Sequence, residues 1–354
     1  MRRQGERFYL LDALRGLAAL SIVLWHWQHF FPPETFSAER QPLYRPLILF
    51  YTNGLRAVDV FFCLSGFIFF WLYAERISSS RISAREFFIL RFSRLYPLHL
   101  ATLVFVAVAQ FIYWNAREAF FIYPENDAYH FLLHSVLASS IGLERGYSFN
   151  GPAWSISVEA FLYALFFLSC RMAMPRWFFC LLAILSGVAL WAVYPPIARG
   201  LISFFIGGSV YLAYRGITRR QLPLAIPCIA LAVLCWAATL AQVSIGLVDY
   251  SPPTLWSIFV LFPLTVLALA LAETQFGALG KRLSFLGEIS YSSYLIHFPL
   301  QLVFVGGAAL IGLRSERFYS PAMMALFFVV LVCLSMASSR YFERPVQRWV
   351  RQAA

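Results

Sequence analysis

Four ionisable side chains, Asp12, Arg15, His26 and His29, stand in an otherwise apolar run from Leu10 to Phe30. About 20 apolar residues suffice to cross a bilayer as a helix. An ionisable group in such a segment faces a bundle interior or a watery cavity rather than lipid, which makes it a functional candidate. Arg15 and His26 are eleven positions apart. Eleven steps of ~100° return to within ~20° of the start, so the two share a helix face and stand roughly 16 Å apart along its axis. Ile22 and His29 extend that stripe, and Ala13, Gly16, Ala18 and Ala19 leave room for close neighbours. The bland reading keeps Arg15 as a topology anchor and His26 as a packed helix-contact residue. The chemical one makes His26 a general base, because a neutral imidazole titrates near neutrality.

Two further constellations could serve the same chemistry. Arg91 and Arg94 are three apart on a predicted helix, with Arg85 about two turns back, and planar forks so arranged suit phosphate oxygens. Cytoplasmic arginines also fix topology without binding anything. In Asn150–Tyr163, Gly151-Pro152 reads as a helix start, and Ser155, Glu159 and Tyr163 then form a polar stripe at successive i, i+4 positions. Glu159 must find a partner that offsets its desolvation. His26, at similar depth, is the expected one: Glu159 would hold the tautomer while His26 takes a proton from an attacking hydroxyl. Arg56 and Asp59 read as satisfying each other, Ser65-Gly66 as a close helix contact, His297 as structural, and Glu343 as part of a solvated cytoplasmic end.

The elements that must position these groups are helices. Of 354 residues, 60% are hydrophobic and 13% charged, against about a quarter charged in soluble proteins. The expected fold is an all-α polytopic membrane protein, a bundle of about ten transmembrane helices forming one domain over 1–354. The spans read as 10–30, 55–73, 95–115, 154–171, 177–194, 199–214, 222–245, 254–273, 289–313 and 320–339. Arg2, Arg3 and Arg7 precede the first span without a small-residue cleavage site after it, so it reads as a retained helix. With the N-terminus cytoplasmic, 20 of the 28 basic residues fall on inner segments, which supports both termini inside. That topology explains the net charge of +11 without a nucleic-acid partner. The stretch from Asn115 to Pro152 is too mixed to span and reads as an interfacial or re-entrant helix. The six cysteines fall singly in apolar runs, as small core residues do. A glycine-rich phosphate loop, a His/Glu/His zinc spacing and a Gly-x-Ser-x-Gly elbow are all missing from the sequence, so neither a metal nor a serine hydrolase is expected.

LDALRGLAALSIVLWH, VDVFFCLSGFIFF, LRFSRLYPLH, FNGPAWSISVEAFLY and ISYSSYLIHFP, in this order, resemble the bacterial membrane acyltransferase-3 family of sugar and exopolysaccharide O-acetyltransferases. The resemblance covers nearly the whole chain. Its most specific parts are the Arg15–His26 spacing and the Arg-x-x-Arg at Arg91 and Arg94. It implies about ten helices in a bacterial inner membrane with cytoplasmic ends, acetyl-CoA as the usual acyl-CoA donor, and a glycan or other hydroxyl-bearing acceptor outside. By the same resemblance His26 is catalytic, Glu159 belongs to the site, and Arg15, Arg91 and Arg94 serve the donor. Ala13 departs from a glycine common in the family, and the periplasmic esterase-like domain that some relatives append is not expected. An alternative from another class is a proton-coupled transporter of a lipid-linked sugar or small solute, with the His/Glu pair as proton relay. Broken helices in symmetry-related halves would mark it, and the sequence holds no such pairing.

Overall fold

The computed structural model describes residues 7–172, 174–244 and 254–353. Arg2 and Arg3 of the expected inner charge cluster, and the last residue of the expected 222–245 span, lie outside them. The main helices are α1 (Tyr9–Trp25), α2 (Tyr44–Asn53), α3 (Ala57–Leu72), α4 (Ala84–Arg117), α5 (Ala128–Ser135), α6 (Trp154–Arg171), α7 (Arg176–Leu190), α8 (Pro195–Arg219), α9 (Ala225–Ser244), α10 (Phe262–Phe276), α11 (Ser284–Leu310), α12 (Pro321–Ala337) and α13 (Arg344–Ala353), with no strand among the described residues. Nine helical segments among the described residues are long and apolar enough to cross a membrane, and the shorter apolar α7 makes a tenth candidate. Each corresponds to one expected span. Between α4 and α6 lie the eight-residue α5 and a 3-10 turn, Gly151–Ala153, that leads into α6, in keeping with the mixed composition of the stretch. Asp127 caps α5 by accepting from the His130 backbone N–H at 2.8 Å.

The chain divides into two compact units, each built from separated segments. The first comprises residues 1–18, 55–84 and 161–288. Within it α3 and α8 meet at backbone distance: a Cβ on Gly66 would stand 1.8 Å from the Phe204 carbonyl oxygen, and one on Gly207 2.0 Å from that of Cys63. The close-contact reading of Ser65-Gly66 is thus the one the helices use, since small residues let backbones approach. Asp59, fully buried, takes both Nε and Nη2 of Arg199, at 3.0 and 2.7 Å. The Asp59 charge also acts on Arg56, as the spacing led one to expect, but the hydrogen-bonded partner is Arg199. Arg199 extends a planar fork from the facing helix and matches both carboxylate oxygens.

The second unit comprises residues 19–54, 85–160 and 289–354. Its centre is α11, which presents a different chemistry on each face. Leu300 packs with Trp27, Phe30, Phe318 and Phe327. Phe298 and Leu302 pack with Leu103, Val106, Phe121 and Phe149. Between these two apolar faces, Ser290, Ser293, His297 and Gln301 recur at helical spacing and are all buried. Pro299 lies inside α11 and supplies no N–H. The Leu295 carbonyl, which that N–H would have served, instead accepts from Asn150 Nδ2 at 3.0 Å.

Candidate active site

The turn His26–Phe30 continues the chain after α1 as a tight 3-10 helix, with His26, Trp27 and Phe30 buried. Trp27 Nε1 donates to the Phe318 carbonyl at 3.0 Å, which fixes the turn against the unit's aromatic core. His26 is thereby left facing α11. Its Nδ1 lies 3.0 Å from the Ile22 carbonyl oxygen and 3.2 Å from Nε2 of His297. His297 Nδ1 in turn lies 2.6 Å from the Tyr294 carbonyl oxygen.

These contacts determine where the protons sit. A carbonyl only accepts, so His297 donates from Nδ1 and its Nε2 carries a lone pair. His26 Nδ1 then stands between two acceptors, Ile22 O and His297 Nε2, and must carry its proton. Nε2 of His26 keeps the lone pair, and it has no hydrogen-bond partner among the described residues. This is the form a general base requires.

His29, one turn on, has its ring centroid 4.8 Å from that of His26. Its Nδ1 lies 3.3 Å from Gln301 Oε1, while Gln301 Nε2 donates to the His26 carbonyl at 2.8 Å. His29 also lines a cleft of about 360 Å³, walled by Phe30, Phe31, Tyr113 and Phe121, with Arg117 on its lining.

Glu159 is not the partner of His26. The imidazole's ring contacts are Trp25, His29 and His297, and its hydrogen bonds involve no carboxylate. The reason is depth along α11. Ser155 Oγ meets the Tyr294 hydroxyl at 2.8 Å. One turn further into α6, Glu159 joins Glu343 and Arg94 as the charges acting on the Tyr291 phenol. Tyr291 and His297 are six residues apart, roughly 9 Å along a helix axis, too far for a carboxylate at one level to hold an imidazole at the other.

Around Tyr291 the second unit gathers its charge. The Tyr291 hydroxyl donates to the Leu95 carbonyl on α4, between Arg94 and the helix's apolar stretch. Arg91 and Arg94 are both half-buried on α4. Ser93, between them, accepts from Arg351 Nε of α13 at 3.2 Å. Glu343 is buried and accepts from Ser292 and Ser338, so the expectation of a solvated end is corrected: it is an internal acceptor for two hydroxyls. Arg15 lies in the first unit, where its Nη2 donates to Asp12 Oδ1 at 2.6 Å and to the Gly287 carbonyl at 3.0 Å.

The family model for the acyltransferase domain Acyl_transf_3 matches residues 8–342, nearly the whole chain. The chain belongs to the acyltransferase-3 family. It is a multi-pass membrane acyltransferase of that family. Among curated relatives, acyltransferase MdmB of Streptomyces mycarofaciens is 28% identical in an alignment covering 95% of this chain and 90% of that protein. Protein 2 in the picA locus of Rhizobium radiobacter is 38% identical over 102 residues, 29% of this chain, and the match spans only 45% of that protein. No solved structure matches the chain. Membership of an acyltransferase family leaves the transporter alternative without a supporting observation.

Reasoning from sequence missed His297 as a neighbour of His26. The signal was present in Ser290, Ser293, His297 and Gln301, a polar stripe at helical spacing through an apolar span.

Proposed function

We propose that the protein transfers an acyl group, acetyl in the first instance, from acyl-CoA to a hydroxyl of a glycan or similar acceptor, with His26 as the base. The observation that carries this reading is the lone pair at His26 Nε2, fixed by the hydrogen bonds of Nδ1. Coenzyme A is an anion at one end and a thioester at the other. Arg91 and Arg94 would hold its phosphates by charge-assisted hydrogen bonds, and the pantetheine arm would run along α11 toward His26. The residues fit such a donor, because α4 carries two half-buried guanidinium groups one turn apart, of which Arg94 acts on Tyr291, below the imidazoles. The resemblance also gives Arg15 to the donor, and Arg15→Ala tests that assignment by the same kinetics.

In the transfer, the acceptor hydroxyl gives its proton to His26 Nε2 as its oxygen bonds the thioester carbonyl carbon. The C–S bond then breaks, and the imidazolium returns the proton to the departing thiolate. The alternative, in which His26 takes the acyl group itself, uses the same lone pair. The cleft beside His29 would receive the acceptor, aromatic rings stacking on its apolar faces. We place the donor face and both termini in the cytoplasm and the acceptor outside the inner membrane, following the basic-residue bias.

The test is incubation of the full chain in lipid nanodiscs with radiolabelled acetyl-CoA and an envelope glycan fraction. Label should move to glycan, and His26→Ala should lower the rate by about 10²–10⁴-fold, the worth of a general base. A folded His26→Ala protein with undiminished transfer would overturn the proposal.

A further inference from the structure

We infer that His297 is the positioning residue of this site, a neutral imidazole standing where a carboxylate orients the histidine of a conventional triad. The inference rests on the reading of His26 as base and adds to it the group that keeps the base in its reactive form. His297 is fully buried and has two roles fixed by its partners. Its Nδ1–H is spent on the Tyr294 carbonyl at 2.6 Å, so its Nε2 can only accept, and it faces His26 Nδ1 at 3.2 Å. The ring centroids are 4.9 Å apart with planes 34° from parallel.

The backbone makes the arrangement rigid. Pro299 breaks the local hydrogen-bond pattern of α11, and Asn150 repairs it at Leu295, two residues before His297. Gln301, one turn beyond, holds the His26 carbonyl at 2.8 Å. When His26 Nε2 takes the acceptor's proton, the imidazolium's Nδ1–H remains shared between Ile22 O and His297 Nε2. A carboxylate there would hold the positive charge more tightly. An uncharged acceptor lets the imidazolium surrender its Nε2 proton to the thiolate and restores the starting tautomer, so no net proton or electron is lost over a turnover.

The experiment compares His297→Leu, which removes one of the two acceptors at His26 Nδ1 and leaves the Ile22 carbonyl, with His297→Gln, whose amide oxygen can replace it. ¹⁵N-histidine NMR of the full chain in nanodiscs reads which His26 nitrogen bears the proton, and acetyl-CoA kinetics with the envelope glycan fraction give kcat and KM. We expect the wild type to show a single Nδ1–H tautomer. His297→Leu, with the Ile22 carbonyl as the remaining acceptor, should show a measurable rise in the Nε2–H form and a kcat lower by about tenfold or more, as wrong-tautomer histidines do, with donor KM within twofold. His297→Gln should recover the tautomer and bring kcat to within about fivefold of the wild type. If His297→Leu does not fold, the Gln variant decides: a folded Gln protein without the Nδ1–H form overturns the proposal. So does a Leu variant that keeps one tautomer and its kcat. Failure of His26→Ala to reduce transfer would instead remove the base reading, while the NMR arm still reports whether His297 sets the tautomer.

Discussion

Asn150 Nδ2 donates at 3.0 Å to the carbonyl of Leu295, the one backbone acceptor in α11 that Pro299 deprives of its helical donor. Both residues are buried, so water cannot stand in. Asn150→Ala should therefore cost about 1–3 kcal/mol, the penalty for a buried polar group left unpaired. Pro299→Ala restores an N–H to the carbonyl. In that background the Asn150→Ala cost should shrink, and thermal melts of the four proteins in a double-mutant cycle measure the difference.

Donor binding should separate from chemistry. Arg91→Ala and Arg94→Ala should each raise the KM for acetyl-CoA by about 10- to 100-fold, the worth of a charge-assisted hydrogen bond, and change kcat less. A kcat fall at saturating donor with unchanged KM would assign the arginines to the transition state instead.

The ion pair of the first unit predicts a stability effect without a catalytic one. Asp59→Ala leaves the Arg199 guanidinium, only 13% exposed, without its bidentate carboxylate. Breaking one side of a buried pair costs about 3–5 kcal/mol. Thermal unfolding in detergent should show a marked fall in midpoint.

The α3–α8 contact predicts a steric penalty. The Cβ of a Gly66→Ala variant would meet backbone at 1.8 Å, so the helices must separate at a cost of about 1–3 kcal/mol. Gly216→Ala, inside α8 where a Cβ meets nothing within 4 Å, is the control and should melt at or slightly above the wild type, alanine being the better helix former by about 1 kcal/mol.

Stability should also depend on pH through α5. His134 is buried beside His99, and burial followed by that neighbour pushes its imidazole down to about 3. In the unfolded chain a histidine titrates near ~6.5. Between those values the unfolded chain binds a proton that the folded one refuses, so the contribution is whole above pH 6.5 and is lost as the pH falls toward 3. Melting curves should show the wild type losing stability faster than His134→Gln as the pH is lowered from 7 to 4.5.

Much of this architecture could be read from the chain. Apolar runs of membrane length located all ten helical segments, and composition alone separated α5 from the spanning ones. What periodicity could not supply was register between helices. Glu159 and His26 were expected to meet because both lie a short way from one face of the membrane. A difference of between one and two helical turns decides otherwise, and it depends on Ser155 meeting Tyr294 rather than His297. Asp59 likewise had a basic neighbour three residues away in Arg56, yet its bidentate partner comes from 140 positions along the chain. Local spacing identified the groups that needed partners. The partners themselves came from packing that brings distant segments side by side.

The buried carboxylate of Glu273 has a consequence for biogenesis. It accepts from the backbone N–H groups of Tyr9 and Leu10, each at 2.9 Å, and so completes the start of α1 from 264 positions away. At ribosomal speeds of about 5–20 residues per second, the first helix waits roughly 13 to 50 s for that cap. Until α10 is synthesised, the opening turn must be solvated or sheltered by the insertion machinery, so α1 emerges from the ribosome long before its start is completed.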